Sequence, residues 1–262
     1  MKKARAIFKY LAYRFKAKGR HGVHSPFVYN FMHEVLHNTS PQPEILQVEE
    51  LANELRGSRK MIEVTDFGAF TGNKKFTTRF RRVGDIARLS GTPSRTGRLL
   101  FNMLRYYQPE HVLELGTSFG ISTLYMALAG EKAKVTTIEG CANTAEIAQK
   151  NIGSMKLQNI AIHVGEFGSL LNKVIETMPK LDFVFIDGNH RKEPTLKYFE
   201  TCLTKIHNDT VIVFDDIYWS KGMEQAWKQI KSHPEVTVSI DLYRIGIVFF
   251  RKELSKQDFV LR

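Results

Sequence analysis

From about residue 107 the chain alternates short apolar runs with longer stretches of helical spacing. The runs fall at 111–116, 134–139, 160–164, 181–187 and 210–215 and predict strands. The stretches near 120–129, 143–152, 168–178, 193–206 and 221–231 predict helices, the fourth with Pro194 in its first turn. Such alternation predicts a mostly parallel sheet covered on both faces. Two last strands, 236–242 and 245–251, are joined by little more than Tyr243 and Arg244, which makes them an antiparallel pair. The expected fold is α/β, a Rossmann-like doubly wound sheet of seven strands over 90–262.

Residues 1–89 lack this alternation and read as a helical N-terminal extension. Ile7, Phe8, Leu11, Ala12 and Phe15 recur at helical spacing among basic residues. They predict an amphipathic helix packed on the main domain or lying on an anionic membrane or nucleic acid. Gly19, Gly22 and Pro26 end it, and Ser25 before Pro26 reads as the cap of a second helix. A third is expected over 45–56, and residues 1–60 are expected to border the substrate cleft.

Composition narrows the class. Hydrophobic residues are 43% and charged residues 25% of the 262, ordinary for a globular protein. Two distant cysteines, Cys141 and Cys202, make neither a disulfide framework nor a zinc site, and no apolar run reaches the ~20 residues of a membrane span. A cytoplasmic protein is expected. Net charge is +11, and no Asp or Glu precedes Glu34. That balance suits acidic substrates, anionic lipid or nucleic acid without choosing among them.

Two glycine turns could cradle a ligand: "IEVTDFGAFTGN" at 62–73 and "VLELGTSFGIST" at 112–123. An open α/β sheet binds ligands at the carboxyl ends of its strands, and an acidic side chain about 20 residues further on takes ribose hydroxyls. The second turn meets both conditions, with Glu139 ending "KVTTIEG". After the first turn no further strand is expected before Val112, so "DFGAFTG" reads as a surface loop. In the second turn Ser118 stands where a nicotinamide-dinucleotide turn has its middle glycine. A pyrophosphate is thereby disfavoured. A ligand with a small carboxylate and a ribose fits better, and S-adenosylmethionine is one.

With these residues the chain, from about Ser90 to Arg251, resembles class I S-adenosylmethionine-dependent methyltransferases. The resemblance assigns Glu114, Gly116, Thr117, Ser118, Gly120 and Ser122 to the first motif, Glu139 and Gly140 to the ribose, Glu166 and Phe167 to the adenine, and Asp187 to the far edge of the cofactor site. The strand ends "FVFIDGNHRKEP" and "VIVFDDIYWSKG" lack the Asn/Asp-Pro-Pro-aromatic stretch of amino methyltransferases and the cysteine of RNA cytosine-5 enzymes. They are similar to the catechol and caffeoyl-CoA O-methyltransferase group. That likeness implies a Mg²⁺ or Mn²⁺ ion held by Asp187, Asp215 and Asp216, oxygen ligands that suit such cations. The group has asparagine at the position of Asp216 and lysine at that of His190. A histidine titrates near neutral pH, so His190 reads as the base that deprotonates a hydroxyl. Tyr218 and Trp219 could wall the acceptor. The expected activity is O-methylation of a small molecule by a chain that could form a homodimer. The alternatives are an RNA or tRNA methyltransferase, or a basic binding protein on the same scaffold.

Overall fold

A computed structural model describes residues 2–19, 22–40, 42–67 and 76–262, the side chains of 2–7 excepted. The amino-terminal part contains α1 (Lys2–Lys16), α2 (Pro26–Phe31) continued by a π-helical turn, and α3 (Leu46–Gly57). The Ser25 hydroxyl accepts from the Val28 amide and caps α2, as its place before Pro26 predicts. An antiparallel hairpin follows, β1 (Met61–Asp66) with β2 (Thr77–Arg82), and then α4 (Val83–Leu89) and α5 (Ser94–Tyr107).

The hairpin corrects the expectation that no strand follows the upstream turn within the helical extension of residues 1–89. "TTRFRR" carries too few apolar residues to announce a strand, and pairing with Met61–Asp66 supplies what propensity does not. The glycines of the upstream turn, Gly68 and Gly72, lie outside the described residues.

The main sheet is built from β3 (His111–Leu115), β4 (Lys134–Glu139), β5 (Ile160–Val164), β6 (Phe183–Ile186), β7 (Val211–Phe214), β8 (Val238–Asp241), β9 (Gly246–Phe249) and β10 (Gln257–Val260). Their order is β10-β8-β9-β7-β6-β3-β4-β5. Parallel pairing runs from β7 to β5, and β9 lies antiparallel between β7 and β8. The sheet therefore has eight strands where the sequence predicts seven. The eighth, β10, is a short, half-exposed edge strand parallel to β8, and "QDFV" has no apolar alternation to reveal it.

Helices α6 (Ile121–Leu128), α7 (Ala142–Ser154), α8 (Phe167–Thr177), α9 (Lys192–Leu203) and α10 (Lys221–Ser232) link the strands. Strand β6, FVFI, shows why both faces must be covered. Phe183 and Phe185 join one core cluster, Val184 and Ile186 the other, and all four are buried. Each such side chain contributes about 1.5–3 kcal/mol on burial. Val28, Phe31, Met32, Ile45 and Val48 share the first cluster with Leu100 and Phe249. The amino-terminal helices thus close one face of the sheet.

Helix α1 packs differently from its apolar stripe. Tyr10 and Tyr13 stand 5.1 and 5.2 Å from the Tyr243 ring, and the Tyr13 hydroxyl donates to the Leu261 carbonyl. Phe8 and Phe15 are exposed instead. Among the described residues no helix is long and apolar enough to cross a membrane.

Candidate functional site

The strand order reverses at β3, whose followers β4 and β5 lie on one side and β6 on the other. A doubly wound sheet opens a crevice at such a point. Here it is a cleft of about 570 Å³, within the usual range of small-molecule sites.

At the end of β3 the chain turns through Gly116 at φ 109°, Ser118 at φ 49° and Gly120 at φ 84°. Gly116 meets a close approach: a Cβ there would fall 2.1 Å from the Asp187 carbonyl oxygen. Thr117 is buried, with its hydroxyl 2.6 Å from that of Thr137. Gly120 precedes α6, and Ser122 is buried inside it.

Glu139, ending β4, reaches back under this turn. Its two carboxylate oxygens accept from the Ser118 amide at 2.7 Å and the Cys141 amide at 2.9 Å. Burial raises its pKa to about 7 even though these amides favour the anion. Gly140 faces Phe67, where a Cβ would meet the ring at 2.9 Å. Glu166 and Phe167 border the cleft next, and the Phe167 ring lies against Gly188.

Of the residues the resemblance assigns to the cofactor, the structure brings Gly116, Ser118, Glu139, Gly140, Glu166, Phe167 and Asp187 to the cleft. Glu114, Thr117, Gly120 and Ser122 are not among its lining residues. Glu114 is fully buried beneath the turn, accepting from the hydroxyls of Thr123 and Thr137. Burial lifts its carboxyl above the ordinary range. It braces the turn from below.

The acceptor side is built by the ends of β6 and β7. Asp187 follows β6, and the His190 Nε2 lies 3.5 Å from Asp187 Oδ1. Asp215 and Asp216 follow β7. Burial, then the charges of Asp215 and Asp216, hold the Asp187 carboxyl well above the usual carboxylate range. Asp216 is raised as well, by burial and then by Asp215. Asp216 sits at φ 53°, a conformation that Asn and Asp adopt more readily than other side chains. Asp216→Asn is accordingly expected to change stability by less than about 0.5 kcal/mol, and Asp216→Val to cost about 1–3 kcal/mol. Urea denaturation of the two variants checks this.

The three aspartates converge, as the resemblance implies, but a cation of the chain's own lies among them. Arg244, in the turn between β8 and β9, donates from Nε to Asp215 Oδ1 at 3.0 Å and from Nη2 to Asp215 Oδ2 at 2.9 Å. Its Nε is also 3.3 Å from Asp216 Oδ1. Among the described residues no group of three or more His, Cys, Asp or Glu side chains is placed to hold a metal ion. In this arrangement the aspartates do not fit the metal, because the guanidinium engages both oxygens of the central one.

Other residues enter unannounced. Asp66, Phe67, Arg79 and Arg81 of the hairpin wall the cleft, together with Asn189, Arg191 and Arg244. Among the described residues none of 1–60 lines the cleft, whereas residues of the hairpin do. Trp219 lines the cleft and is exposed. Tyr218 turns away, donating to Asp241 at 2.6 Å and stacking on Tyr243.

Residues 113–217 match the family model described as a methyltransferase domain. That match covers under half of the chain, and the remaining likeness is one of fold. A catechol O-methyltransferase of Niastella koreensis is 33% identical over 124 residues, covering 46% of this chain and 55% of the relative. A caffeoyl-CoA O-methyltransferase of Populus kitakamiensis is 27% identical over 67% of this chain and 73% of its own length. The chain spans just over half the length of the catechol O-methyltransferases it matches. In fold, an O-methyltransferase of Bacillus cereus solved with S-adenosylhomocysteine superposes with TM-score 0.57 and 19% identity, over 85% of this chain and 97% of that one.

Proposed function

We propose that the protein transfers the methyl group of S-adenosylmethionine to a hydroxyl oxygen of a small molecule. The observation that carries this reading is Glu139, whose carboxylate is fixed by two backbone amides at the rim of a turn where only glycine fits. A carboxylate so held is aimed to accept from a ribose hydroxyl. Residues 90–262 hold the chemistry on this reading, and 1–89 are an addition to it.

The cofactor supplies a methyl group on a sulfonium, already electrophilic. The protein has to align the acceptor oxygen and remove its proton. Asp187 faces Nε2 of His190, so a proton held there leaves Nδ1 to take one from the acceptor. The oxygen forms the new bond to the methyl carbon, the carbon–sulfur pair returns to sulfur, and the proton ends on His190. Asn189 Nδ2 donates to the Tyr198 hydroxyl at 3.0 Å and helps fix the loop that carries His190.

Calorimetry is expected to show S-adenosylmethionine and S-adenosylhomocysteine binding to the purified chain and NAD failing to bind. Heat with NAD, or none with either sulfonium-derived ligand, overturns the assignment.

A further inference from the structure

We propose that Arg244 stands in place of a divalent cation at the acceptor site, so that this chain binds no metal there and holds its acceptor through a guanidinium. The inference deepens the methyltransferase reading and rests on it for the identity of the acceptor site.

Four observations support it. The Arg244 fork engages both oxygens of Asp215, whose side chain is only 3% exposed, and its Nε reaches Asp216 as well. A metal ion at this point would need those same oxygens and would sit beside a fixed positive charge, and like charges at such a distance repel strongly where water is scarce. The guanidinium is also held in place by its backbone. Tyr243 adopts φ 69°, the Arg244 amide donates to the Leu242 carbonyl at 2.9 Å, and the Arg244 carbonyl accepts from the Ile217 amide at 3.1 Å. Tyr243 is clamped in turn by the rings of Tyr10, Tyr13 and Tyr218. Finally, the arginine side chain is 43% exposed, lines the cleft, and keeps Nη1 out of both aspartate contacts.

The donor pair on Nη1 defines a class of acceptor. A metal favours two adjacent oxygens that chelate it. A planar guanidinium favours an oxyanion or a carboxylate, bound by directed N–H donors. The fitting acceptor carries such an anionic oxygen near the hydroxyl to be methylated, and needs no vicinal diol. Arg79 and Arg81, which line the same cleft, add to this preference, the first beside Asp66 at 3.8 Å.

The experiment titrates Mn²⁺ into the chelator-treated full chain and reads the free ion by electron paramagnetic resonance. The wild type is expected to show no saturable site tighter than about 1 mM, the weak end of protein sites for hard cations. Arg244→Met frees the aspartates and is expected to raise Mn²⁺ affinity at least about tenfold, the effect of removing one close like charge. Arg244→Lys keeps the charge and is expected to stay like the wild type. One tight Mn²⁺ per wild-type chain, lost in Asp215→Asn, overturns the proposal, and so does an Arg244→Met protein that folds without gaining affinity. If Arg244→Met does not fold, the wild-type titration decides alone. Calorimetry with S-adenosylhomocysteine on the same samples keeps the two readings apart, because a failure there strikes the cofactor assignment and leaves the metal result standing.

Discussion

Gly116→Val is expected to abolish cofactor binding and to lower unfolding free energy by about 3–5 kcal/mol. Two costs add. At φ 109° any side chain is strained, and the new Cβ would lie 2.1 Å from the Asp187 carbonyl oxygen. The backbone has little room to yield. The Gly116 amide donates to Ile138 at 2.9 Å, and the Asp187 amide donates to Leu115 at 2.9 Å, so both strand ends are pinned across β3, β4 and β6. Gly116→Ala already carries the Cβ and should show most of the loss. Gly153→Ala is the control, since nothing lies within 4 Å of a Cβ there and the residue is helical. That change should be neutral or add up to about 1 kcal/mol. Denaturant melts and cofactor calorimetry on the three variants suffice. A Gly116→Ala protein with wild-type stability and affinity would remove the close approach from the account.

The second large effect belongs to Glu139. Glu139→Ala should weaken cofactor binding by about 1–3 kcal/mol, the value of a charge-assisted hydrogen bond to ribose. Its pKa, raised by burial to about 7, also fixes the direction of the pH dependence. The anion is the better acceptor, so affinity should rise roughly tenfold between pH 6 and pH 8, as the ionised fraction goes from about a tenth to about nine tenths. Glu139→Gln should flatten that curve. Stability runs the other way. Between the ordinary carboxylate range and pH 7 the folded, ligand-free protein binds more protons at this site than the unfolded chain, so stability falls as pH rises through that window. Glu139→Gln should therefore melt higher than the wild type at pH 8 and together with it near pH 4. An affinity that is flat from pH 6 to pH 8 in the wild type would show that the carboxylate is already ionised before the ligand arrives.

Glu114 and Glu139 show what a sequence can and cannot disclose about such a site. Both are acidic residues near the end of an apolar run, and both fit the motif of the resembling family. Only the pairing of β3 between β4 and β6 decides that Glu114 is sealed under the turn while Glu139 faces the cleft. Strands β3 and β6 to β9 are legible because each is apolar enough to be buried on both faces, and β4 and β5 because each is a short run rich in β-branched residues. Strand β10 and the hairpin of β1 and β2 are not, because pairing with a neighbouring strand stabilises them and their own composition does not. Arg244 was legible only as half of a short link. Its role depends on a turn that carries it over to strand ends about 30 residues earlier in the chain, and no local pattern encodes that distance.

Helix α1 is anchored at the opposite end of the polypeptide. The Lys18 amide donates to the Val260 carbonyl at 2.8 Å, the Arg262 amide donates to Lys18 at 3.2 Å, and Tyr13 is tied to Leu261. Strand β10 must therefore be in place before this contact exists. During synthesis at about 5–20 residues per second, the helix waits on the order of tens of seconds for its partner to emerge. Throughout that interval its tyrosines, as well as Phe8 and Phe15, face solvent. The seating of this basic, aromatic helix thus waits on a strand some 240 residues further along the chain.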